Sequence, residues 1–126
     1  MAKTPQNKAQ QLLLAYRPTL WRKSALETVS RVASDATETN CAALQTCVAQ
    51  IDFTQAMVQT LQDNRRLGNK MYRIIFVTYM TERQPMDIGE MLAEIAKGQA
   101  YIPRRTYFRL KKCALEMMDA YLEKMA

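Results

Sequence analysis

The sequence predicts an all-α chain in which N-terminal helices lead into a C-terminal helix-turn-helix with a long last helix. Three observations carry that expectation. The 126 residues are rich in Ala, Leu, Gln, Glu, Lys, Arg and Met and hold only three glycines and four prolines, a composition that favours helix. Apolar residues recur at helical spacing, most clearly at Tyr107, Leu110, Ala114, Met117 or Met118, Tyr121 and Met125, the signature of one buried face. Just before and across the start of that pattern lies KGQAYIPRRTYFRLKK, with six basic residues (Lys97, Arg104, Arg105, Arg109, Lys111, Lys112) and no acid.

The elements follow in order. Gln6 to Arg17 reads as a helix with Leu12, Leu13 and Tyr16 as its apolar residues. Pro18 is expected to end or kink it, because proline disfavours helical geometry in the residue before it. Trp21, Ala25, Leu26, Val29 and Val32 continue at helical spacing. Ser34 to Asn40 (SDATETN) collects turn and capping residues and predicts a loop. A third helix runs through Leu44, Val48, Ile51 and Phe53, with Thr54 a candidate cap for a continuation through Met57, Val58 and Leu61. Asp63 to Asn69 (DNRRLGN) is polar and contains Gly68. It marks the boundary between an N-terminal helical region, 1–66, for packing, self-association or partner contact, and a DNA-binding region, 67–126.

The C-terminal region has its own rhythm. Met71, Ile74, Ile75, Val77 and Tyr79 form an apolar run whose neighbours favour a short helix over a buried strand. Thr81 to Met86 (TERQPM) is a polar turn. Asp87 is a good N-cap with Glu90 three residues on, as in a capping box. That helix buries Ile88, Met91, Leu92 and Ile95, and Gly98 is placed to end it. Gln99 to Ile102 connects to Pro103, which suits a first helical turn because its missing N–H removes no intrahelical bond. Helix, short helix, turn and basic helix are the parts of a helix-turn-helix.

Net charge is +6, and its distribution says more than its size. Residues 1–31 carry six bases and one acid, 32–64 four acids and no base, and 97–112 six bases and no acid. Blocked positive charge favours a polyanionic partner. There is no histidine, and the three cysteines, Cys41, Cys47 and Cys113, form no C-x-x-C pair. A zinc site and the histidine-dependent nucleophilic mechanisms are therefore not expected. The cysteines are expected to be small buried apolar groups. No cofactor and no catalysis are expected. The longest apolar run of the membrane type is four residues, Ile74 to Val77, too short for a span. The N-terminus lacks the apolar core of a signal peptide, which points to the cytoplasm.

The run Ile74-Ile75-Phe76-Val77-Thr78-Tyr79, the turn, Asp87-Ile88-Gly89-Glu90-Met91-Leu92, and then Arg105-Thr106-Tyr107-Phe108-Arg109-Leu110-Lys111-Lys112-Cys113-Ala114-Leu115 resemble the ArpU-type regulators of Gram-positive phages and prophages. The closing motif of that family reads roughly Ser/Arg-Thr-Tyr-Tyr-Arg-x-Lys-Lys-x-Ala-Leu. The likeness covers about residues 68–118, with a fainter echo at Leu12-Leu13-Leu14-Ala15-Tyr16-Arg17. It implies a sigma-factor-like helix-turn-helix acting in a bacterial host on phage transcription, with RNA polymerase a possible partner. Gly98 to Ile102 makes the turn longer than is usual in that family, and residues 34–64 align with nothing in it.

On this reading Arg104, Arg105, Thr106 and Arg109 occupy the turns of the last helix that reach base edges of duplex DNA. Arginine suits guanine because its planar fork can donate two bonds to O6 and N7. Thr106 serves a phosphate or a base, and Lys111 and Lys112 meet the DNA backbone. The competing reading pairs Arg105 and Arg109 with Glu116 or with the acids of residues 87–94. Tyr107 and Phe108 are adjacent, so one packs inside and they do not share a face. Trp21 is expected as a core anchor, or else as part of a partner surface. Met57, Met71, Met91, Met117 and Met118 are expected in the core. Lys3, Lys8, Arg17, Arg22 and Lys23 form either a second phosphate patch or a solvated face, and Thr81 to Gln84 either touches phosphate or is a plain turn. The function expected is a phage-type transcriptional regulator, with a homodimer possible. The alternatives are a phage-encoded inhibitor or adaptor docking an acidic partner, and a small DNA-packaging subunit.

Overall fold

The computed structural model describes residues 8–32, 38–97 and 101–125. Among these, every regular element is helical: α1 (Lys8–Leu14), α2 (Tyr16–Val32), α3 (Glu38–Gln59), α4 (Gly68–Ile75), α5 (Ile88–Ala96) and α6 (Arg104–Met125). A 3-10 turn, Thr60–Asp63, follows α3, and a π turn, Phe76–Met80, extends α4. No described helix is long and apolar enough to cross a membrane.

The first break comes earlier than Pro18. Helix α1 stops at Leu14 and α2 begins at Tyr16, so Pro18 sits inside the first turn of α2. The reason is steric. A proline ring collides with the carbonyl four residues back, and that carbonyl belongs to Leu14. Pro18 itself is tolerated where first-turn N–H groups have no helical partner anyway. The remaining bonds bridge the joint, from Ala15 N–H to the Gln11 carbonyl (3.1 Å) and from Thr19 N–H to the Ala15 carbonyl (3.0 Å).

The expected loop over 34–40 is shortened, because α3 already begins at Glu38; residues 34–37 lie outside the described residues. Helix α3 then runs unbroken past Thr54. Thr54 is no cap: it is buried, and its hydroxyl donates to the Gln50 carbonyl at 2.9 Å. Helices α2 and α3 lie side by side and antiparallel, since the Gln55 side chain donates to the Tyr16 hydroxyl (2.9 Å) at one end of the pair.

Gly68 opens α4 under tight constraint. A Cβ there would stand 2.5 Å from the Leu61 carbonyl oxygen and 3.1 Å from the Gln62 Cα. The approach is locked by Asn64, whose side-chain oxygen accepts from the Arg66 and Leu67 N–H groups at 3.1 and 2.9 Å, while its carbonyl accepts from the Gly68 N–H at 3.0 Å. Helix α5 starts as its sequence indicates. Asp87 is extended and its carboxylate accepts from the Glu90 N–H at 2.8 Å. The reciprocal bond is displaced by one residue, because the Glu90 carboxylate takes the Met86 N–H, at 3.4 Å. The expected cap at Gly98 lies outside the described residues.

One hydrophobic core joins the two ends of the chain. It draws Ala9, Leu13 and Tyr16 together with Met57, Val58 and Leu61, and with Met71, Ile74, Ile95, Tyr107, Leu110 and Met118. It therefore spans the 66/67 boundary. Helix α6 is its axis, packed along α1 and α4, and the Ala9 N–H donates to the Asp119 carboxylate at 3.0 Å. Met57, Met71 and Met118 are fully buried, and Met91 and Met117 are packed at the edge of the core. Two expectations fail. Trp21 is 65% exposed and anchors no core. Cys47 is buried, but Cys41 and Cys113 are exposed, because the faces of α3 and α6 that carry them have no partner helix among the described residues.

Candidate nucleic-acid interface

The face of α6 opposite its core seam collects the basic residues. Tyr107, Leu110, Ala114, Leu115 and Met118 are buried, whereas Arg104, Arg105, Phe108, Arg109 and Lys112 are exposed and Thr106 is half-buried. Positions 105, 108, 109 and 112 are three, four and seven apart, so they share one side of the helix. Within this cluster the Arg104 guanidinium lies over the Phe108 ring, 5.7 Å from its centre. Among the described residues, Arg105, Arg109 and Lys112 form no salt bridge: the pairs present are Lys23 with Glu27 (3.9 Å) and Lys97 with Glu94 (2.7 Å). The Lys97 bond also holds the exposed Glu94 carboxyl below its usual range.

The adjacent aromatics divide as helical geometry demands. Tyr107 is buried and Phe108 is 46% exposed, with their rings edge to face and 5.0 Å between centres. The Tyr107 hydroxyl meets the Thr78 hydroxyl of the π turn at 2.8 Å and also contacts the Met91 sulfur. Thr78 in turn donates to the Ile74 carbonyl at 2.6 Å. The start of α6 is thereby tied to both α4 and α5.

Lys111 stands apart from the other bases. It is half-buried, with its ammonium 5.8 Å from the Tyr79 ring centre and 5.9 Å from those of Tyr107 and Phe108. Burial pushes its pKa below the ordinary lysine value. The sequence carried the signal: Lys111 is four residues after Tyr107 and three before Ala114, on the seam side, while Lys112 turns outward.

Two further arginines are engaged elsewhere. Arg17 donates from Nε to the Thr81 carbonyl (2.8 Å), from Nη1 to the Thr78 carbonyl (3.2 Å) and from Nη2 to the Thr81 hydroxyl (3.0 Å). Arg73 donates from Nη2 to the Glu94 carbonyl at the end of α5, 2.8 Å away, while its buried Nε has no partner among the described residues. Cations at helix C-termini satisfy the last carbonyls and complement the helix dipole. Sequence reasoning missed both roles, since the partners lie 21 to 64 residues away.

Of the remaining N-terminal bases, Lys8 and Arg22 are exposed, Lys23 pairs with Glu27, and Lys3 lies outside the described residues. Thr81 is held by Arg17 and donates to the Arg83 carbonyl at 2.9 Å, and Glu82, Arg83 and Gln84 are exposed. No group of three or more Cys, Asp or Glu side chains able to hold a metal occurs among the described residues. Comparison with protein-family models, with curated proteins and with solved structures finds no match.

Proposed function

We propose that the chain is a phage- or prophage-type transcriptional regulator that binds duplex DNA with the N-terminal half of α6. In this reading α4, α5 and α6 form the helix-turn-helix and α6 enters the major groove. The observation that carries it is a basic face without ion pairs among the described residues. Arg105, Arg109 and Lys112 project from one side of a helix whose other side is held in the core, so the cations are oriented without being neutralised. A rigid helix presenting unpaired arginines suits base edges and phosphates. Arg104, Arg105, Thr106 and Arg109 are assigned to DNA contact near the helix start, and Lys112 to a phosphate. Lys111 is left out of the contact set because its charge rests on aromatic rings.

The reading assigns no catalytic role. It leaves α2 and α3 for self-association or for contact with RNA polymerase. Exposed Phe108 among arginines favours one competitor, an adaptor docking an acidic protein, because aromatic and arginine side chains together make strong protein contacts. Binding to a mixed-sequence duplex across a salt series separates them. A DNA-binding chain engages the duplex at roughly 50 mM salt, and its affinity falls steeply as salt rises because phosphate contacts release counterions. Absence of duplex binding at that salt would sink the proposal.

A further inference from the structure

A concave site adjoins the inner flank of the basic helix α6. It is a cavity of about 380 Å³ where α1, α2, the π turn, the 81–87 turn and α6 meet. That volume falls within the range of small-ligand sites, about 300–1,000 Å³. Leu14, Pro18, Trp21 and Pro85 form apolar walls, and Tyr79 and Lys111 also line it. Trp21 stands at its rim, 65% exposed although it is the chain's single tryptophan.

The charges in the cavity are all of one sign. Lys111 and Arg17 line it, and no Asp or Glu does so among the described residues. Lys111 has ring faces around its ammonium and forms no salt bridge among the described residues. Taking an ammonium partly out of water without a counter-charge is unfavourable, so an anion is the missing complement. Arg17 is fixed by one bond from each guanidinium nitrogen, so it adds positive charge to the cavity lining without being neutralised by those carbonyl and hydroxyl partners. Flat walls of tryptophan, tyrosine and proline suit an aromatic body.

We infer that this cavity binds a small aromatic carboxylate, its carboxylate on Lys111 and its ring against Trp21 and Pro85. The concave shape favours a small molecule over a peptide segment, which would need an extended groove.

Trp21 reports occupancy directly, because its emission is the only tryptophan signal in the protein. Phenylbutyrate, which absorbs little where tryptophan is excited, is titrated into the full chain without DNA, so the outcome is independent of the nucleic-acid reading. Neutral phenylbutyramide serves as the comparison. The expected result is a saturable emission change with phenylbutyrate and binding of the amide weaker by roughly tenfold, the scale of one charge-assisted hydrogen bond. Lys111→Gln loses affinity for phenylbutyrate by a similar factor, Lys111→Arg keeps most of it, and Lys124→Gln, at the far end of α6, keeps all of it. Circular dichroism confirms that each variant is folded. Equal binding of acid and amide, unchanged binding by Lys111→Gln, or no saturable change with phenylbutyrate overturns the inference. So does saturable binding of an acidic peptide in the absence of phenylbutyrate binding, which assigns the cavity to a protein partner.

Discussion

The Arg17 guanidinium donates from Nε to the carbonyl of Thr81, 2.8 Å away across 64 residues of sequence. With its bonds to the Thr78 carbonyl and the Thr81 hydroxyl, it closes the C-terminal end of the π turn that extends α4. A π turn widens the backbone spiral and leaves carbonyls without their regular partners. Arg17 supplies those partners from α2, and burial lowers its pKa below the ordinary arginine value.

Arg17→Met should therefore act on stability. A hydrogen bond involving a charged group contributes about 1.5–3 kcal/mol, so a loss of at least about 2 kcal/mol in urea unfolding is expected. Lys at this position should rescue little, because an ammonium cannot reproduce the three-nitrogen fork. Full stability in Arg17→Met would show that the contacts are dispensable. A change in the salt dependence of DNA binding would show that Arg17 belongs to a phosphate patch after all.

Gly68→Ala should destabilise, against the general rule for helices. An exposed helical glycine replaced by alanine gains up to about 1 kcal/mol. Here the added Cβ would meet the Leu61 carbonyl oxygen at 2.5 Å, a backbone atom that cannot swing aside. Overpacking of this kind costs about 1–3 kcal/mol. A Gly68→Ala protein with an unchanged or higher urea midpoint would mean that the 3-10 turn shifts freely.

Trp21→Ala should leave stability within about 0.5 kcal/mol of the parent, as expected for a surface position. The indole should also be readily quenched by a soluble quencher such as iodide, because 65% of the residue faces solvent. A shielded, blue-shifted emission would place Trp21 in an interface between molecules.

What could be read from the sequence divides along physical lines. Helical class, the Asp87 cap and the buried seam of α6 depend on residues within one or two turns of each other, where propensity and periodicity act. The Leu14 stop was legible in principle, four residues before Pro18, but proline's effect on its immediate neighbour drew the boundary too late. Trp21 was misplaced because hydrophobicity alone names a residue fit for the core; whether a helix turns that side inward depends on which helices pack against it. Arg17 and Arg73 resemble any other basic residues until the carbonyls of Thr81 and Glu94 are brought to them. In the candidate site, Lys111 and Lys112 look equivalent as a pair of letters and separate only on the helical wheel.

Alkaline pH should weaken the fold through Tyr79 and Tyr107. Burial raises the pKa of both above the ordinary tyrosine value of 10.0. The folded state then holds its phenolic protons while the unfolded chain loses them, so the stabilisation is complete below that value and is lost as pH rises through the folded values. Lys111 works in the opposite sense, because its pKa is lowered from 10.5. The unfolded chain holds more protons there, so this contribution makes stability rise with pH just below 10.5. Urea midpoints measured from neutral pH upward should fall more gently in Tyr107→Phe than in the parent, and more steeply in Lys111→Met. The reverse ordering would contradict the burial of these groups.

The sharpest test of the nucleic-acid face compares neighbours. Each cation that neutralises a phosphate contributes about 0.9 to the slope of log affinity against log salt. Lys112 is exposed on the side shared with Arg105 and Arg109, whereas the Lys111 ammonium sits 5.8–5.9 Å from three ring centres. Anisotropy of a labelled duplex across a salt series should show Lys112→Gln reducing the slope by about 0.9 and Lys111→Gln leaving it unchanged. Arg105→Ala should differ from both, costing about 1–3 kcal/mol on a preferred sequence and less on others, because a base contact carries discrimination as well as charge. If Lys111→Gln flattens the slope as much as Lys112→Gln, the helix meets DNA with its seam side. The α6 face described here is then not the interface.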